Sequence, residues 1–267
     1  MLTARVLSAF VLIPLVAFTA WQGGPWFAGL VAVFVALAVT EFYQITRRLG
    51  ARPSVHVGIV LSVFIVLAAL SPNYRLAPSA FILAVGALMV IRVLQQNFDN
   101  LLSDWSATIV GSAYIGGMLS HFVLLRGLRG EGLAWVAVAA ITTWIADTAA
   151  YFVGSTVGRR PFFPRVSPRK TWEGAIAGLI GGTLTGATIA ILFLHLSWPL
   201  AAALGLLVSL AATFGDLAES LVKRQAGIKD SGNLIPGHGG ALDRIDSLLF
   251  AGVATYYFAV WIVGAGS

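Results

Sequence analysis

The sequence predicts an all-α, polytopic integral membrane protein, a helix bundle with about nine transmembrane helices. Of the 267 residues, 58% are hydrophobic and only 10% are charged, whereas about one quarter of a soluble globular chain is charged. Lipid rather than water must therefore solvate most of the exterior. The apolar runs are long and lack the two-residue alternation of a lipid-facing β-barrel strand, which favours helices.

Nine apolar runs fill most of the chain. The first, from Val6 to Trp21, resembles a signal peptide, but only Arg5 precedes it and a second run begins at Trp26 without a clear cleavage site. We therefore interpret it as a retained first span. The third and fourth runs are short. The predicted helices cover residues 6–22, 25–44, 55–71, 76–92, 105–125, 133–157, 173–194, 198–215 and 247–264.

Basic residues predict the orientation. A cytoplasmic N-terminus and nine crossings place fourteen of the seventeen Lys and Arg residues inside and the C-terminus outside, as the positive-inside rule requires. Only Arg75, Arg126 and Arg129 lie outside. The net charge of +6 then reflects an anionic membrane face or anionic substrates rather than a nucleic acid. The residues placed inside are Arg5, Arg47, Arg48, Arg52, Arg92, Arg159, Arg160, Arg165, Arg169, Lys170, Lys223, Arg224, Lys229 and Arg244.

Glycines recur every four residues along the seventh run, so that they line one helix face. Small residues at this spacing let helices approach each other closely in lipid. We expect them to pack tightly, either within the bundle or across a dimer. They are Gly174, Gly178, Gly182 and Gly186.

Polar residues gather in the connection after the eighth run. Five of the eleven acidic residues lie between Asp216 and Asp246. Helical spacing places Asp243 and Asp246 one turn apart. We therefore divide the chain into residues 1–130, a scaffold of five spans, and residues 131–267, a catalytic region of four spans. An extended eighth helix carries four polar residues on one face: Asp216, Glu219, Ser220 and Lys223.

Carboxylates presented from two helix ends beside several cations suit a divalent metal bound to a polyphosphate. Mg²⁺ takes one or two protein carboxylates and fills its other positions with water and phosphate oxygens. The alternative is a solvated loop with helix-capping acids. Both interpretations stay open for Lys229 and Asp230, whereas metal binding is favoured for Asp216, Asp243 and Asp246, because charge at membrane-helix ends is costly. The neighbouring cations are Lys223, Arg224 and Arg244.

A second polar connection contains Ser167, Pro168, Arg169 and Lys170. Ser followed by Pro is typical of a helix start, so we expect Ser167 as the N-cap and Pro168 in the first turn. A helix N-terminus beside two cations is a natural anion site. Positive-inside topology combined with capping is an equal alternative.

Further features are a glycine-rich segment and several isolated polar residues. The segment from Pro236 to Gly240 is too rich in glycine for a helix and should form a loop whose backbone approaches a ligand. His238 in this loop contacts phosphate or orients a carboxylate, although a loop histidine taken alone is more often incidental. Asp147 lies in an apolar run and needs a polar partner. Interfacial or structural positions are predicted for Arg92, Glu41, His121 and His195.

The spacing of these residues resembles the signature of the phosphatidate cytidylyltransferases, also called CDP-diacylglycerol synthases. The stretch from Ser167 to Gly174 is also similar, so the resemblance covers most of residues 140–250. Ala241 departs from it, because a bulkier apolar residue is expected there. The matching positions are Ser220, Lys223, Arg224, Lys229, Asp230, His238, Gly239, Gly240, Asp243, Arg244 and Asp246.

The resemblance implies a transfer of CMP from CTP to phosphatidic acid, which gives CDP-diacylglycerol and pyrophosphate. Mg²⁺ is the implied cofactor, bound by Asp216, Asp243 and Asp246, and a second, monovalent cation is compatible with so acidic a site. A homodimer in a bacterial-type inner membrane is expected, with an organellar membrane as the alternative. The implied catalytic residues are Ser220, Lys223, Arg224, His238, Asp243 and Arg244. The implied substrate-binding residues are Ser167, Arg169, Lys170, Lys229, Gly239 and Gly240. Additional candidates are Asp147, Glu219 and Asp230.

Other classes of function fit the sequence less well. A transporter or channel for an anionic solute should carry charges along its path and show paired repeats, yet the charges cluster at one face and no internal repeat is present. The motif pattern of a CDP-alcohol phosphotransferase is missing, and a structural scaffold leaves the acidic residues unexplained. The absence of cysteine excludes disulfides, thiolate metal sites and cysteine nucleophiles.

Overall fold

All nine predicted runs are helical in the computed structural model, which describes residues 2–71, 76–96, 99–232 and 239–265, with residues 2–9 described by their backbone alone. Two π-helical turns interrupt or extend this pattern: Ser112–Gly117 joins α5 to α6, and Phe258–Val263 prolongs α10. The helices are α1 (Leu2–Gln22), α2 (Gly24–Arg48), α3 (Val55–Ala68), α4 (Leu76–Gln95), α5 (Leu101–Gly111), α6 (Met118–Gly127), α7 (Gly132–Thr156), α8 (Trp172–Leu194), α9 (Trp198–Gln225) and α10 (Leu242–Tyr257).

Within the described parts of the chain, seven helical stretches are long and apolar enough to cross a membrane, which confirms the all-α, polytopic class. Helix α3, at Val55–Ala68, is apolar but shorter. In α1 the side chains are described only from Phe10 to Gln22, and that stretch is apolar as well. The 14 residues of α3 reach only about 21 Å at 1.5 Å per residue, less than the hydrocarbon thickness of roughly 30 Å. The predicted shortness of the third helix is therefore confirmed. The fourth helix, with 20 residues, is longer than predicted.

The chain forms two compact units. Unit 1 contains Met1–Val123 and Gln225–Arg244, and unit 2 contains Leu124–Arg224 and Ile245–Ser267. We call the connection between α9 and α10 the signature loop; its described residues are 226–232 and 239–241. The division describes packing, and it groups these residues with the N-terminal helices. The functional division at residue 130 concerns a different property and stays a prediction.

In unit 1, the ring of Tyr43 joins three segments of the core. The Tyr43 side chain is fully buried, and its hydroxyl donates a hydrogen bond to the carbonyl of Thr108 at 2.8 Å. Gly58 on α3 and Gly111 on α5 make room for it, because a Cβ at either position would overlap the ring. The last turns of α2 are thereby fixed against α3 and α5.

Asp104 holds the connection between α2 and α3 in the same unit. Its carboxylate is only 3% exposed and accepts hydrogen bonds from the Arg52 backbone N–H at 2.5 Å and from the Arg92 guanidinium at 3.2 Å. A buried carboxylate without such donors would be strongly unfavourable. The structural role predicted for Arg92 is confirmed.

In unit 2, the glycine stripe of α8 packs against α7 and α9. All four glycines are buried. A Cβ on Gly178 would lie 2.9 Å from the carbonyl oxygen of Ala146 on α7, and one on Gly186 would lie 2.7 Å from the Cα of Gly205 on α9. Close packing within the bundle, one of the two predicted alternatives, is therefore confirmed. The stripe is occupied by neighbouring helices and offers no support for a dimer interface.

A short β-hairpin precedes α8, and it corrects the predicted helix start. Pro161–Phe163 (β1) pairs antiparallel with Ser167–Thr171 (β2), so that Ser167 and Pro168 are extended rather than helical. The N-cap of α8 is Thr171, whose hydroxyl accepts a hydrogen bond from the Gly174 N–H at 3.2 Å. The extended backbone is stabilised by strand pairing and by the Phe162 ring against Trp172, at 4.5 Å between centroids, contacts that the Ser-Pro pattern does not reveal.

We predict that Gly186→Ala destabilises the protein, because its methyl group would press on the backbone of α9 near Gly205. Overpacking of this kind costs about 1–3 kcal/mol, which should lower the melting temperature in detergent by several degrees. Gly86→Ala is the matched control, since a Cβ there meets no atom within 4 Å. Equal melting temperatures for the two variants would show that α8 and α9 are not packed this closely.

Candidate active site

A buried carboxylate in unit 1 holds the signature loop in place. Glu41 on α2 is 1% exposed and accepts hydrogen bonds from the Ser231 hydroxyl at 2.8 Å, the Ala241 N–H at 2.9 Å and the Leu242 N–H at 2.8 Å. Two of these donors are backbone groups at the start of α10, which otherwise lack helical partners. Negative charge at a helix N-terminus is also electrostatically favourable. We call this arrangement the Glu41 clamp.

Glycines let the loop wrap around the Glu41 carboxylate. A Cβ on Gly232 would lie 2.6 Å from a carboxylate oxygen of Glu41, and one on Gly240 would overlap both that carboxylate and the Ser231 hydroxyl. Gly239 has φ +85°, in the left-handed region that favours glycine. The predicted non-helical loop is confirmed for Gly239 and Gly240. Their backbone approaches Glu41 and Ser231, and their predicted contact with a ligand stays a prediction.

Asp243 braces the same loop from the first turn of α10. Its carboxylate accepts hydrogen bonds from the Ser231 N–H at 3.0 and 3.2 Å and from the Gly240 N–H at 2.9 Å. The Ser231 side chain and backbone are thus bound by two different carboxylates. Asp243 therefore has a demonstrated positioning role, and its assignment as a metal ligand stays a prediction.

A second group of carboxylates lies in unit 2, contributed by three helices. Asp147 on α7, Asp216 on α9 and Asp246 on α10 are close enough to repel one another electrostatically, and we call them the acidic cluster. Gly215 permits this approach, because a Cβ there would lie 2.6 Å from the backbone oxygen of Asp246. A larger residue at position 215 would separate the helix segments that carry these acids.

Two lysines and two serines surround the acidic cluster. Lys170 forms an ion pair with Asp216, and the Ser220 hydroxyl donates a hydrogen bond to Asp216 at 3.3 Å. Lys223 pairs with Glu219 at 2.5 Å and also attracts Asp246. Asp147, which needed a polar partner, finds one in the hydroxyl of Ser247. This site therefore combines acceptors for a cation with cations for an anion.

The composition of unit 2 around the acidic cluster fits a divalent cation. Four carboxylates, those of the cluster and of Glu219, lie beside the two lysines Lys170 and Lys223, so acidic groups outnumber lysines here. Carboxylate oxygens are the hard donors that Mg²⁺ prefers, and Mg²⁺ needs only one or two of them. Among the residues that the structure describes, no group of three or more His, Cys, Asp or Glu side chains is arranged to hold a metal ion. No more than two of these carboxylates could therefore bind one ion directly, and water and substrate oxygens would have to supply the other ligands.

The hairpin presents basic residues beside the start of α8. Arg159 and Arg160 donate their backbone N–H groups to the Glu173 carboxylate at 3.1 and 3.3 Å. Arg224 donates from Nε to the carbonyl of Val166 at 3.1 Å, so the end of α9 is tied to the hairpin turn. These hydrogen bonds hold the backbone of Arg159 and Arg160 and the guanidinium of Arg224 in place.

The structure brings some of the predicted site residues together, but in two groups. Asp216, Glu219, Ser220, Lys223, Asp147, Asp246 and Lys170 lie together in unit 2. Gly239, Gly240 and Asp243 lie together in unit 1. Five further predicted residues are exposed, namely Arg169, Arg224, Lys229, Asp230 and Arg244, and Asp147 of the first group is exposed as well. Ser167 is half-buried in β2, and His238 lies outside the described residues.

Sequence reasoning missed the part that Glu41, Thr171 and Ser247 play. Glu41 was expected to be interfacial or structural, and its structural role is confirmed, but its partners lie about 200 positions away in the chain. The available signal was a carboxylate within an apolar helix, which demands a specific partner. Thr171 and Ser247 are short polar residues next to a functional segment, and no spacing rule distinguishes them from surface residues.

Comparison with known proteins identifies similar chains over almost the full length. The family model described as the cytidylyltransferase family matches residues 3–262. A phosphatidate cytidylyltransferase of Synechocystis is 34% identical, with 98% of this chain and 97% of that protein covered. One from Brucella suis is 33% identical, with 96% and 93% covered. The chloroplastic phosphatidate cytidylyltransferase 4 of Arabidopsis thaliana is 35% identical, with 88% and 68% covered.

We predict that Glu41→Ala loosens the signature loop, because three buried donors lose their acceptor. An unsatisfied buried donor costs about 1–3 kcal/mol. The melting temperature should fall and amide hydrogen exchange at Ala241 and Leu242 should accelerate. Glu131→Ala is the control, since Glu131 makes no side-chain capping bond at the start of α7. Unchanged exchange at both amides in Glu41→Ala would contradict the clamp.

Proposed function

This chain belongs to the cytidylyltransferase family, and we propose that it transfers CMP from CTP to phosphatidic acid, giving CDP-diacylglycerol and pyrophosphate. The observation that carries this proposal is the acidic cluster with the neighbouring Lys170 and Lys223, because Asp246 and Lys223 are signature residues in a chain whose near-full-length relatives are phosphatidate cytidylyltransferases. Nucleotidyl transfer to a lipid phosphate requires both a place for cations and charges that hold phosphates.

The chemistry is an in-line substitution at phosphorus. An oxygen of the phosphatidic acid phosphate attacks the α-phosphorus of CTP, and the bond from that phosphorus to the oxygen bridging to the β-phosphate breaks. Pyrophosphate leaves with the electron pair. The attacking oxygen is already anionic near neutral pH, so no protein group has to remove a proton. Positioning and charge neutralisation therefore supply the catalysis.

The protein cations hold the two anionic substrates. Lys170 and Lys223 are paired with carboxylates, and both ammonium groups can exchange those partners for phosphate oxygens. Ser220 orients Asp216 through its hydroxyl. Arg224 and Arg244 add charge for the leaving pyrophosphate, and the additional binding residues are Ser167, Arg169, Lys229, Gly239 and Gly240. His238 is assigned to orienting phosphate or a carboxylate.

Mg²⁺ is the proposed cofactor, held by Asp216 and Asp246 with Asp147 nearby. The excess of carboxylates over lysines in this group supports a divalent cation, which would neutralise phosphate oxygens when bound. Asp243 remains a candidate ligand, directly or through water. Its hydrogen bonds to Ser231 and Gly240 give it a second function in holding the loop.

The proposed setting is the cytoplasmic membrane of a bacterium, with the site and N-terminus facing the cytoplasm and the C-terminus outside. The basic residues of the short connections support this orientation, and two of the relatives named above are bacterial. CTP is then available from the aqueous side while the acyl chains of the lipid stay in the bilayer. A homodimer is proposed as the oligomeric state, through a surface other than the glycine stripe.

We predict magnesium-dependent transfer of label from α-phosphate-labelled CTP into lipid when purified protein is supplied with phosphatidic acid. EDTA should abolish the transfer and excess Mg²⁺ should restore it. Asp246→Asn should lower kcat by about 100-fold or more, the loss typical of one electrostatic group in a transfer site. Asp99→Asn, an exposed carboxylate outside the proposed site, should retain wild-type activity.

The possible outcomes separate the components of this proposal. A folded wild-type protein that transfers no label with any phospholipid or nucleotide would reject the transferase and restore the anion transporter as the leading alternative. Full activity in EDTA would reject the Mg²⁺ requirement alone. Equal activity of Asp246→Asn and Asp99→Asn would remove Asp246 from the site.

We also predict opposite accessibility for two loops. The chain has no cysteine, so in a single-cysteine variant a maleimide can label only the introduced cysteine. In intact cells, a membrane-impermeant maleimide should label Arg129→Cys, in the connection between α6 and α7. It should label Leu49→Cys, after α2, only once the membrane is permeabilised. The reverse pattern would invert the proposed orientation.

A further inference from the structure

A polar cavity of about 360 Å³ lies beside the Glu41 clamp in unit 1. We infer that this cavity binds the nucleoside end of CTP, the cytosine and its ribose; this inference rests on the proposed function. The residues that carry the argument are Gln44, Ile45 and Arg48 of α2 and Ile228, Asp230 and Gly232 of the signature loop.

The size of the cavity suits part of a nucleotide. Small-molecule sites commonly measure about 300–1,000 Å³, and this cavity lies near the lower limit of that range. A base with its sugar is a compact ligand of this kind. A diacyl lipid with two long chains is much larger, and its chains need an apolar surface that the exposed Gln44, Arg48 and Asp230 side chains do not provide.

The charge of the lining favours a neutral group over a phosphate. Arg48 supplies one positive charge and Asp230 one negative charge. A phosphate seated between them would be attracted by the guanidinium but repelled by the carboxylate, and like charges placed together in a binding site weaken it. The base and ribose of a nucleotide are uncharged and rich in hydrogen-bonding groups, so they match this lining.

The functional groups complement cytosine. Cytosine presents an amino donor at N4 and acceptors at N3 and O2, while the Gln44 amide offers both a donor and an acceptor. A carboxylate such as that of Asp230 accepts from the cytosine amino group or from ribose hydroxyls. Ile228, which is half-buried, adds apolar surface for the ring. Arg48, one turn after Gln44 on α2, can reach toward the first phosphate.

The wall of the cavity is held rigid by groups that the ligand does not need. Ser231, next to Asp230, gives its hydroxyl to Glu41 and its N–H to Asp243. Glu41 lies three residues before Gln44 on the same helix, so one element both anchors the loop and supplies the base-reading amide. Preorganisation of this kind reduces the entropy lost on binding. We therefore assign Gln44 as a specificity-determining residue.

The test compares Gln44→Ala and Arg48→Gln with two matched controls. Gln22→Ala removes an exposed glutamine elsewhere, and Arg47→Gln removes the exposed neighbour of Arg48 that does not line the cavity. Two quantities are measured for each variant. The first is the steady-state kinetics with CTP and with UTP, and the second is the equilibrium binding of labelled CTP in the absence of lipid. Gln44→Ala should raise the KM and Kd for CTP about tenfold, the effect of one lost hydrogen bond, and should reduce the preference for CTP over UTP.

The kcat and the KM for phosphatidic acid should stay within about twofold of wild type in Gln44→Ala, a split that general loss of structure would not give. Arg48→Gln should raise the KM for CTP without changing the preference for CTP over UTP.

Wild-type KM for CTP in both variants would overturn the inference while leaving the transferase intact. A raised KM for phosphatidic acid alone would assign the cavity to the lipid headgroup and also overturn it. Absence of turnover in wild type would reject the proposed function, and the lipid-free CTP binding would still test the cavity.

Discussion

The hydrogen bonds to the Glu41 carboxylate are the interaction on which the signature loop depends. An ionised carboxylate buried in a helix is strongly unfavourable unless donors surround it, and here three donors from the loop and the start of α10 do so. The loop gains a fixed path, and the first N–H groups of α10 gain an acceptor. Ala241 is fully buried at this point, and Gly232 and Gly240 are small because the carboxylate occupies the space next to them.

Unit 2 brings acidic residues from three largely apolar helices close together. Its acidic cluster persists because Lys170 and Lys223 offset part of the repulsion and because Gly215 permits close approach of α9 to the backbone of Asp246. The glycine stripe of α8 provides the close helix packing that supports these positions. The carboxylates and the lysines of this unit together suit a reaction between two phosphate-bearing substrates.

Much of this protein follows from hydropathy and helical spacing. The nine helical runs of the described chain were predictable because lipid requires every backbone group to be satisfied within its own segment. The face that carries Asp216, Glu219, Ser220 and Lys223 follows from a helical repeat that does not depend on context. The hairpin was not predictable, because Ser-Pro is equally compatible with a helix start and an extended strand. The choice depended on pairing with β1 and on the Phe162–Trp172 contact.

The sequence by itself determined the class of the protein, the helices, the family and the chemical types present at the site. Only the tertiary structure decided which of those groups meet. Glu41 and Leu242 are 201 positions apart, and a buried carboxylate selects its donors by geometry rather than by distance along the chain. For the same reason Asp243 braces a loop while Asp246, one turn later on the same helix, joins Asp147 and Asp216. The sequence spacing of Asp243 and Asp246 does not distinguish their roles, whereas their contacts in the folded chain do.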